Sequence, residues 1–195
     1  VSGAGLEHLK GLTKLQTLFL NMCYHVTDAG LEHLKGLTEL QTLGLQETDV
    51  TSVAGVMAFR RALPKCNIIH ETTASRTGPD AGRNNPEIDT EPDVDKKTAL
   101  AEIKELGGKV ETDPDHPDHP VIGVDLSRCY HPNVAHLRGL TGLQSLDLSR
   151  TRVSAASLEN LNGLARLHTL NVSDNEMTNA DLEHLRGLTQ LRTLK

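Results

Sequence analysis

Leucine recurs along this chain in one fixed frame, LxxLxGLxxLxxLxL, separated by polar and charged residues. The stretch GLEHLKGLTKLQTLFL starts at Gly5, and GLEHLKGLTELQTLGL starts at Gly30, an offset of 25. The frame returns as VAHLRGLTGLQSLDL from Val134, LENLNGLARLHTLNV from Leu158 and LEHLRGLTQLRTLK from Leu182. Each unit holds two periodicities. Leu18 and Leu20, Leu43 and Leu45, Leu146 and Leu148, and Leu170 and Val172 alternate as a short half-buried strand does. Leu31, Leu34 and Leu37 instead follow the spacing of one helical stripe. Gly11, Gly36, Gly139, Gly163 and Gly187 follow these stripes, where a left-handed helix cap costs glycine least. One unit cannot enclose its own leucines. Stacked neighbours bury them in a continuous column, with the strands in one parallel sheet.

These residues resemble the leucine-rich repeat family, whose frame LxxLxLxx(N/C/T) stands in every complete unit. The sequence CYHVTD from Cys23 is similar to the C-x-x-V-T-D signature of the cysteine-containing subtype. It alternates with a shorter T-x-V-T variant, TDVTS from Thr48, of the kind common in bacterial relatives. The resemblance covers about three quarters of the chain. It implies an α/β solenoid, a right-handed superhelix with a parallel concave sheet and convex helices. On function the resemblance is nearly silent.

The frame fails in GVMAFRRALPKCNIIH, Gly55 to His70, which loses the leucine strand and gains Pro64, although Cys66, Ile68 and Ile69 still suit a last strand. Residues 1–70 therefore read as the C-terminal part of an array. Residues 71–97 carry almost no large apolar side chain and many acidic ones. Such a stretch cannot bury enough surface to offset its ordering entropy, and it reads as a flexible acidic linker. Next, Leu100, Ile103 and Leu106 share a helical stripe closed by Gly107 and Gly108, ahead of a short strand near Lys109–Glu111. That helix and strand resemble an N-terminal cap, so residues 98–195 read as a cap and a new array. Val1 opens inside a repeat, which places the natural N-terminus upstream. Two readings stay open: the chain is a fragment of a longer protein, or residues 98–195 dock onto residues 1–70, within the chain or between copies.

Composition narrows the picture. Aromatics are only 2% with no Trp, so leucine fills a thin, repetitive core. A net charge of −6 and a pI near 5.9 argue against a phosphate-backbone binder, and no apolar run is long enough to span a membrane. Three scattered cysteines do not make a disulfide framework.

Candidate chemistry is sparse. Cys23, Thr48, Cys129, Thr151 and Asn175 occupy one position just after the strand, where a small polar side chain satisfies buried backbone groups of the turn. Cys66 sits where Leu40 does, as core filler. His8, His33, His136 and His184 share a helical position, interrupted by Asn160, and read as solvated; a metal wants three or four convergent ligands. Asp113 to Pro120 packs three Asp and two His between prolines, which would hold the segment extended and splay any ligands. No metal, cofactor or catalytic site is expected. There is no GxSxG elbow, P-loop or GxGxxG, and the alignment of Ser127, Ser149 and Ser173 beside Asp125, Asp147 and Asn171 follows from repetition.

What repetition leaves uncommitted is the concave strand face. Phe19, Asn21, Gly44, Gln46, Asp125, Asp147 and Asn171 point away from the leucines, with Arg128, Arg150 and Asp174 toward the strand ends. Phe19 is expected to face solvent as the leading anchor, with Arg150 second. Asp125 and Asp147 would lie about 4.8 Å apart and repel, with Arg128 and Arg150 as candidate offsets. The expected function is a non-catalytic scaffold binding a protein or peptide on this face. The alternatives are a structural spacer or surface layer in a larger bacterial protein, an F-box-like substrate receptor (no F-box-like bundle is visible), or repeats attached to a catalytic domain elsewhere.

Overall fold

The computed structural model of the chain describes residues 1–50, 53–69, 96–127, 129, 132, 134–153 and 155–195. Strands β1 (Thr17–Phe19), β2 (Thr42–Gly44) and β3 (Asn67–Ile69) alternate with helices α1 (Asp28–Leu31) and α2 (Val53–Ala62). Helix α3 (Lys96–Glu105) is followed by β4 (Lys109–Thr112), β5 (Val121–Asp125) and β6 (Ser145–Asp147). Then come α4 (Ala155–Glu159), β7 (Thr169–Asn171), α5 (Asn179–Glu183) and β8 (Thr193–Leu194). The stretch read as a linker lies, apart from Lys96 and Lys97, outside the described residues.

The eight strands form one sheet in the order β3-β2-β1-β8-β7-β6-β5-β4. Only β4 against β5 is antiparallel; the other pairs are parallel. The last strand therefore lies beside the first, with Thr193 against Thr17 and Leu194 against Leu18. Hydrogen bonds stitch this seam along its length. Gln16 and Thr17 N–H groups donate to the Arg192 carbonyl at 2.8 and 2.9 Å. Ser2 N–H donates to Asn179 Oδ1 at 2.7 Å, and the Val1 ammonium to the Met177 carbonyl at 3.1 Å.

The core is a set of leucine columns, continued by Ile68 on β3 and Val124 on β5. Leu6, Leu9, Leu12, Leu15 and Leu18 are fully buried, as are Leu158, Leu161, Leu164, Leu167 and Leu170. The strict three-residue spacing sets the local geometry. An α-helix of 3.6 residues per turn would carry such a series off the core, whereas a 3-10 helix of 3.0 residues per turn keeps it in line. The convex segments accordingly are 3-10 over Gly5–Gly11 and Val134–Gly139. Elsewhere a short α-turn passes into 3-10 at Glu32–Leu34, Asn160–Gly163 and His184–Gly187.

That geometry corrects the expectation for the five glycines. None has positive φ; among described glycines only Gly107 does, at 75°. The 3-10 turns close instead through the next leucine, as where Leu12 (φ −84°, ψ 57°) donates to the Leu9 carbonyl at 2.9 Å. No left-handed residue is needed because an i to i+3 bond already ends the helix. Gly107 does serve as a left-handed cap: Gly108 N–H donates to Ile103 O at 2.8 Å and Gly107 N–H to Lys104 O at 3.0 Å, closing α3. Gly30 answers a different need. A Cβ there would lie 2.5 Å from Gly3 Cα, so these two backbones pack with no room for a side chain.

One end of the column is covered by α3, whose Ala99 and Ile103 are buried, and by β4, whose exposed Lys109 and Glu111 discourage further strand addition. The Asp113–Pro120 segment is not extended as expected. It folds back as the β4–β5 connection, closed by Asp113 N–H donating to Pro120 O at 2.9 Å, with Asp113 Oδ1 accepting from Asp115 N–H at 3.0 Å and His119 at φ 40°. The turn in which the Asp113 carboxylate accepts from Asp115 N–H outweighs the extended preference of the prolines. Among described residues no helix is long and apolar enough to cross a membrane.

Candidate protein-binding face

With Leu18, Leu43, Leu146, Leu170 and Leu194 turned inward, their strand neighbours are fixed outward by the two-residue period of a strand. Register then lines these neighbours into rows. One row is hydroxyl-bearing and crosses the seam: Ser145, Thr169, Thr193, Thr17 and Thr42. The next pairs Asp125 with Asp147 and Asp147 with Asn171; beyond the seam it pairs Phe19 with Gly44 and Gly44 with Ile69.

Phe19 is half-buried rather than facing solvent. A Cβ on Gly44 would meet Phe19 Cδ1 at 2.5 Å and Asn21 Oδ1 at 2.8 Å, so the ring lies over the space that glycine leaves on β2. Asn21 Oδ1 also accepts from Gln46 N–H at 3.1 Å, tying the ends of β1 and β2 together. This gives Phe19 a preorganised pose.

Asp147 is compensated by groups other than the expected Arg150. Asp147 Oδ1 accepts from Ser149 N–H at 2.8 Å and Ser149 Oγ at 2.6 Å, and its Oδ2 accepts from Asn171 Nδ2 at 2.8 Å. Asp125 accepts from Ser127 N–H at 2.9 Å and lies 3.9 Å from Lys109 Nζ. Arg150 turns away from Asp147 to Asp174, Nε to Oδ2 at 2.8 Å. Arg128 lies outside the described residues. The serines thus belong to strand-ending turns in which residue i accepts from the N–H of i+2, as Asn171 does from Ser173 at 3.1 Å.

Just past these turns, Met22, Glu47, Arg150 and Asp174 occupy equivalent positions, and all four are left-handed, with φ between 55° and 62°. No glycine supplies this conformation, which costs a non-glycine residue about 1–2 kcal/mol. The following position carries the compensation. Thr48 and Thr151 hydroxyls donate to the carbonyls of Leu45 and Leu148 at 2.9 and 2.6 Å. Asn175 Nδ2 donates to Val172 O at 2.9 Å and reaches across a rung to Leu148 O at 2.8 Å. Its Oδ1 accepts from Thr151 N–H and Val153 N–H at 3.2 and 3.3 Å. Cys129 Sγ donates to Leu106 O at 3.1 Å, joining the first turn to the end of α3. Burial pushes the thiols of Cys23, Cys66 and Cys129 above their ordinary range, so each is held protonated and weakly nucleophilic.

Sequence reading missed two members of this surface. Met22 and Tyr24 are among the few exposed large apolar residues, at 56% and 52%, and Tyr24 Oη reaches Glu47 Oε2 at 3.4 Å. Their signal was available: Met22 shares the alignment column of Arg150 and Asp174, and Tyr24 is one of only two tyrosines. Beside them a cavity of ≈ 490 Å³ opens between the turns after β7 and β1, lined by Phe19, Met22, Tyr24, Val172, Asn175 and Met177 among others.

The recurring histidines of the convex side, His8, His33, His136 and His184, do not gather into a metal site. His136 Nε2 meets Glu102 at 2.6 Å, tying the first 3-10 turn of the second stretch to α3. Among described residues no group of three or more His, Cys, Asp and Glu is placed to hold a metal ion.

Residues 141–195 match the model of the Leucine rich repeat family. No curated protein matches the chain. Together with the mostly parallel sheet and the repeating leucine columns, the match identifies the architecture as an α/β leucine-rich repeat solenoid.

Proposed function

We propose that this chain is a non-catalytic scaffold that holds a protein or peptide on its concave strand face. Leucine-rich repeat domains generally mediate protein–protein interaction, and the carrying observation is local. Phe19, Met22 and Tyr24 stand together at the ends of β1, held by Gly44, a left-handed backbone and Glu47, in a chain with almost no other aromatic side chains. Aromatic and methionine side chains beside a polar rim are the composition of interface anchors. Arg150, Asp174, Asn21 and Gln46 supply that rim, and Asp125, Asp147 and Asn171 the polar floor, with Arg128 in the same alignment column as Arg150. In support of the non-catalytic reading, Ser149 Oγ donates to Asp147, no histidine among the described residues bonds to it, and burial raises the thiols of Cys23 and Cys129 above their ordinary range.

The same reading treats residues 1–70 and 98–195 as a single scaffold joined at the seam, with the acidic stretch 71–97 as its connector. The hydrogen bonds across β8 and β1 favour that over arrays pairing between copies. The CYHVTD and TDVTS turns still point to the cysteine-containing, bacterial type of repeat.

A peptide library displayed on phage tests the binding face. Peptides selected on the wild-type chain are expected to lose about tenfold or more in affinity when Phe19→Ala and Arg150→Ala are combined, the weight of two moderate hot spots. Unchanged affinities, with the variant folded, would remove the concave face from the account.

A further inference from the structure

The edge where the strands begin carries a separate feature. Arg166 and His168 precede β7, Gln190 and Arg192 precede β8, and Lys14 and Gln16 precede β1. Backbone bonds hold these rungs in step: Arg192 N–H to His168 O at 2.7 Å, then Gln16 N–H to Arg192 O at 2.8 Å. Lys14 Nζ crosses the seam to Gln190 Oε1 at 2.7 Å. Arg166, Arg192 and Lys14 are exposed, and none of them is in an ion pair among the described residues. On the convex side, by contrast, Lys10 pairs with Glu7 and Arg186 with Glu183. The cations are close enough to act on each other's surroundings. Burial first, then Arg192 and Lys14, lower the pKa of the half-buried His168. The run is bounded by Glu39 at β2 and by Asp113 and Asp118, which share a cleft with Arg166.

We propose that this edge, over β7, β8 and β1, docks a short acidic peptide segment of a partner protein. The choice of partner follows from the range of the forces. The chain as a whole carries −6, so a long polyanion such as nucleic acid, or an anionic membrane, meets net repulsion beyond the patch. A short segment interacts only within a screening length of about 8 Å at physiological salt, where it meets three permanent cations. The rungs lie about 4.8 Å apart, so the run spans about 10 Å, matching three or four residues of extended chain. The proposal rests on the preceding reading in taking the partner to be a protein, but it concerns a different surface from the Phe19 cluster.

The test is fluorescence anisotropy with a labelled peptide of alternating Asp and Ser, its Asn–Ser counterpart and a single-stranded oligothymidine of similar length. The wild-type chain is expected to bind the Asp peptide, and not the Asn one, with an affinity that falls as salt rises. Lys14→Glu with Arg192→Glu should weaken binding at least about tenfold, because two attractions become repulsions. Lys10→Glu with Arg186→Glu makes the same change in net charge on the convex side and should leave it within about twofold. Arg166→Glu alone, on the rung beside the seam and in none of the described bonds that cross it, serves if the double variant melts early, and should weaken binding about threefold or more. The proposal is overturned if both charge-reversed pairs behave alike, if Arg166→Glu has no effect, or if oligothymidine binds as tightly as the peptide. Should the acidic peptide fail while phage-selected peptides still respond to the Phe19 and Arg150 changes, only this proposal falls and the concave face stands.

Discussion

Leu18→Ala is expected to cost about 3–5 kcal/mol of unfolding free energy, the upper part of the range for a buried leucine truncation. Leu18 is fully buried and pairs in register with Leu43 on one side and Leu194 on the other. Each of those neighbours belongs to a column that fixes its backbone, so the site cannot collapse to fill the void. The loss is a large share of the 5–15 kcal/mol that holds a typical domain together. Urea unfolding measures it directly: the midpoint should drop with little change in slope. Met57→Ala, at a side chain 55% exposed on α2, should stay within about 0.5 kcal/mol. Equal small losses at both positions would mean that the leucines do not share one dry column.

The second large effect is polar. Asn175→Ala should destabilise by about 2–4 kcal/mol, because the cost of an unmade buried hydrogen bond exceeds the gain of a made one. Asn175 donates to Val172 O and Leu148 O and accepts from the N–H groups of Thr151 and Val153, so it satisfies two adjacent turns at once. Threonine offers a graded control. Among the described residues the Thr48 hydroxyl bonds the carbonyl of its own rung and no other group, so Asn175→Thr should recover about half of the loss. Thermal melts of the three proteins rank them; a Thr variant as unstable as the Ala one would assign the effect to packing.

These two sites also show how far the sequence can be read. Leu18 is legible because its role depends only on spacing: a residue at that place in the frame has to face the core whatever its neighbours do. The position of Asn175 is legible in the same way, since Thr48, Thr151, Cys23 and Cys129 occupy the same column. The number of bonds it makes is not legible. That depends on its carboxamide reaching the next rung, a distance set by stacking and absent from the chain's one-dimensional pattern. The glycines mislead for a related reason. A glycine after a helical stripe normally signals a left-handed cap, but the three-residue leucine spacing selects 3-10 turns that end without one. Just past the strands the left-handed residues are Met22, Glu47, Arg150 and Asp174, of which only Asp174 is a side-chain type that favours this conformation. The charge pattern sets Arg150 against the nearest strand carboxylate, yet the backbone turn at its own position carries it past Asp147 to Asp174. Side-chain direction at strand ends follows the local backbone more than the charge pattern does.

Crosslinking across β8 and β1 probes the seam on which the unbroken core depends. Thr17 and Thr193 are register partners on adjacent parallel strands, a Cα separation of about 5 Å that a disulfide accepts. With Thr17→Cys and Thr193→Cys introduced together, mild oxidation of the dilute protein should give a monomer whose peptide map joins positions 17 and 193. Crosslinks only between chains, or none between those positions, would show that the first and last rungs do not meet within one molecule, and the single solenoid would have to be abandoned.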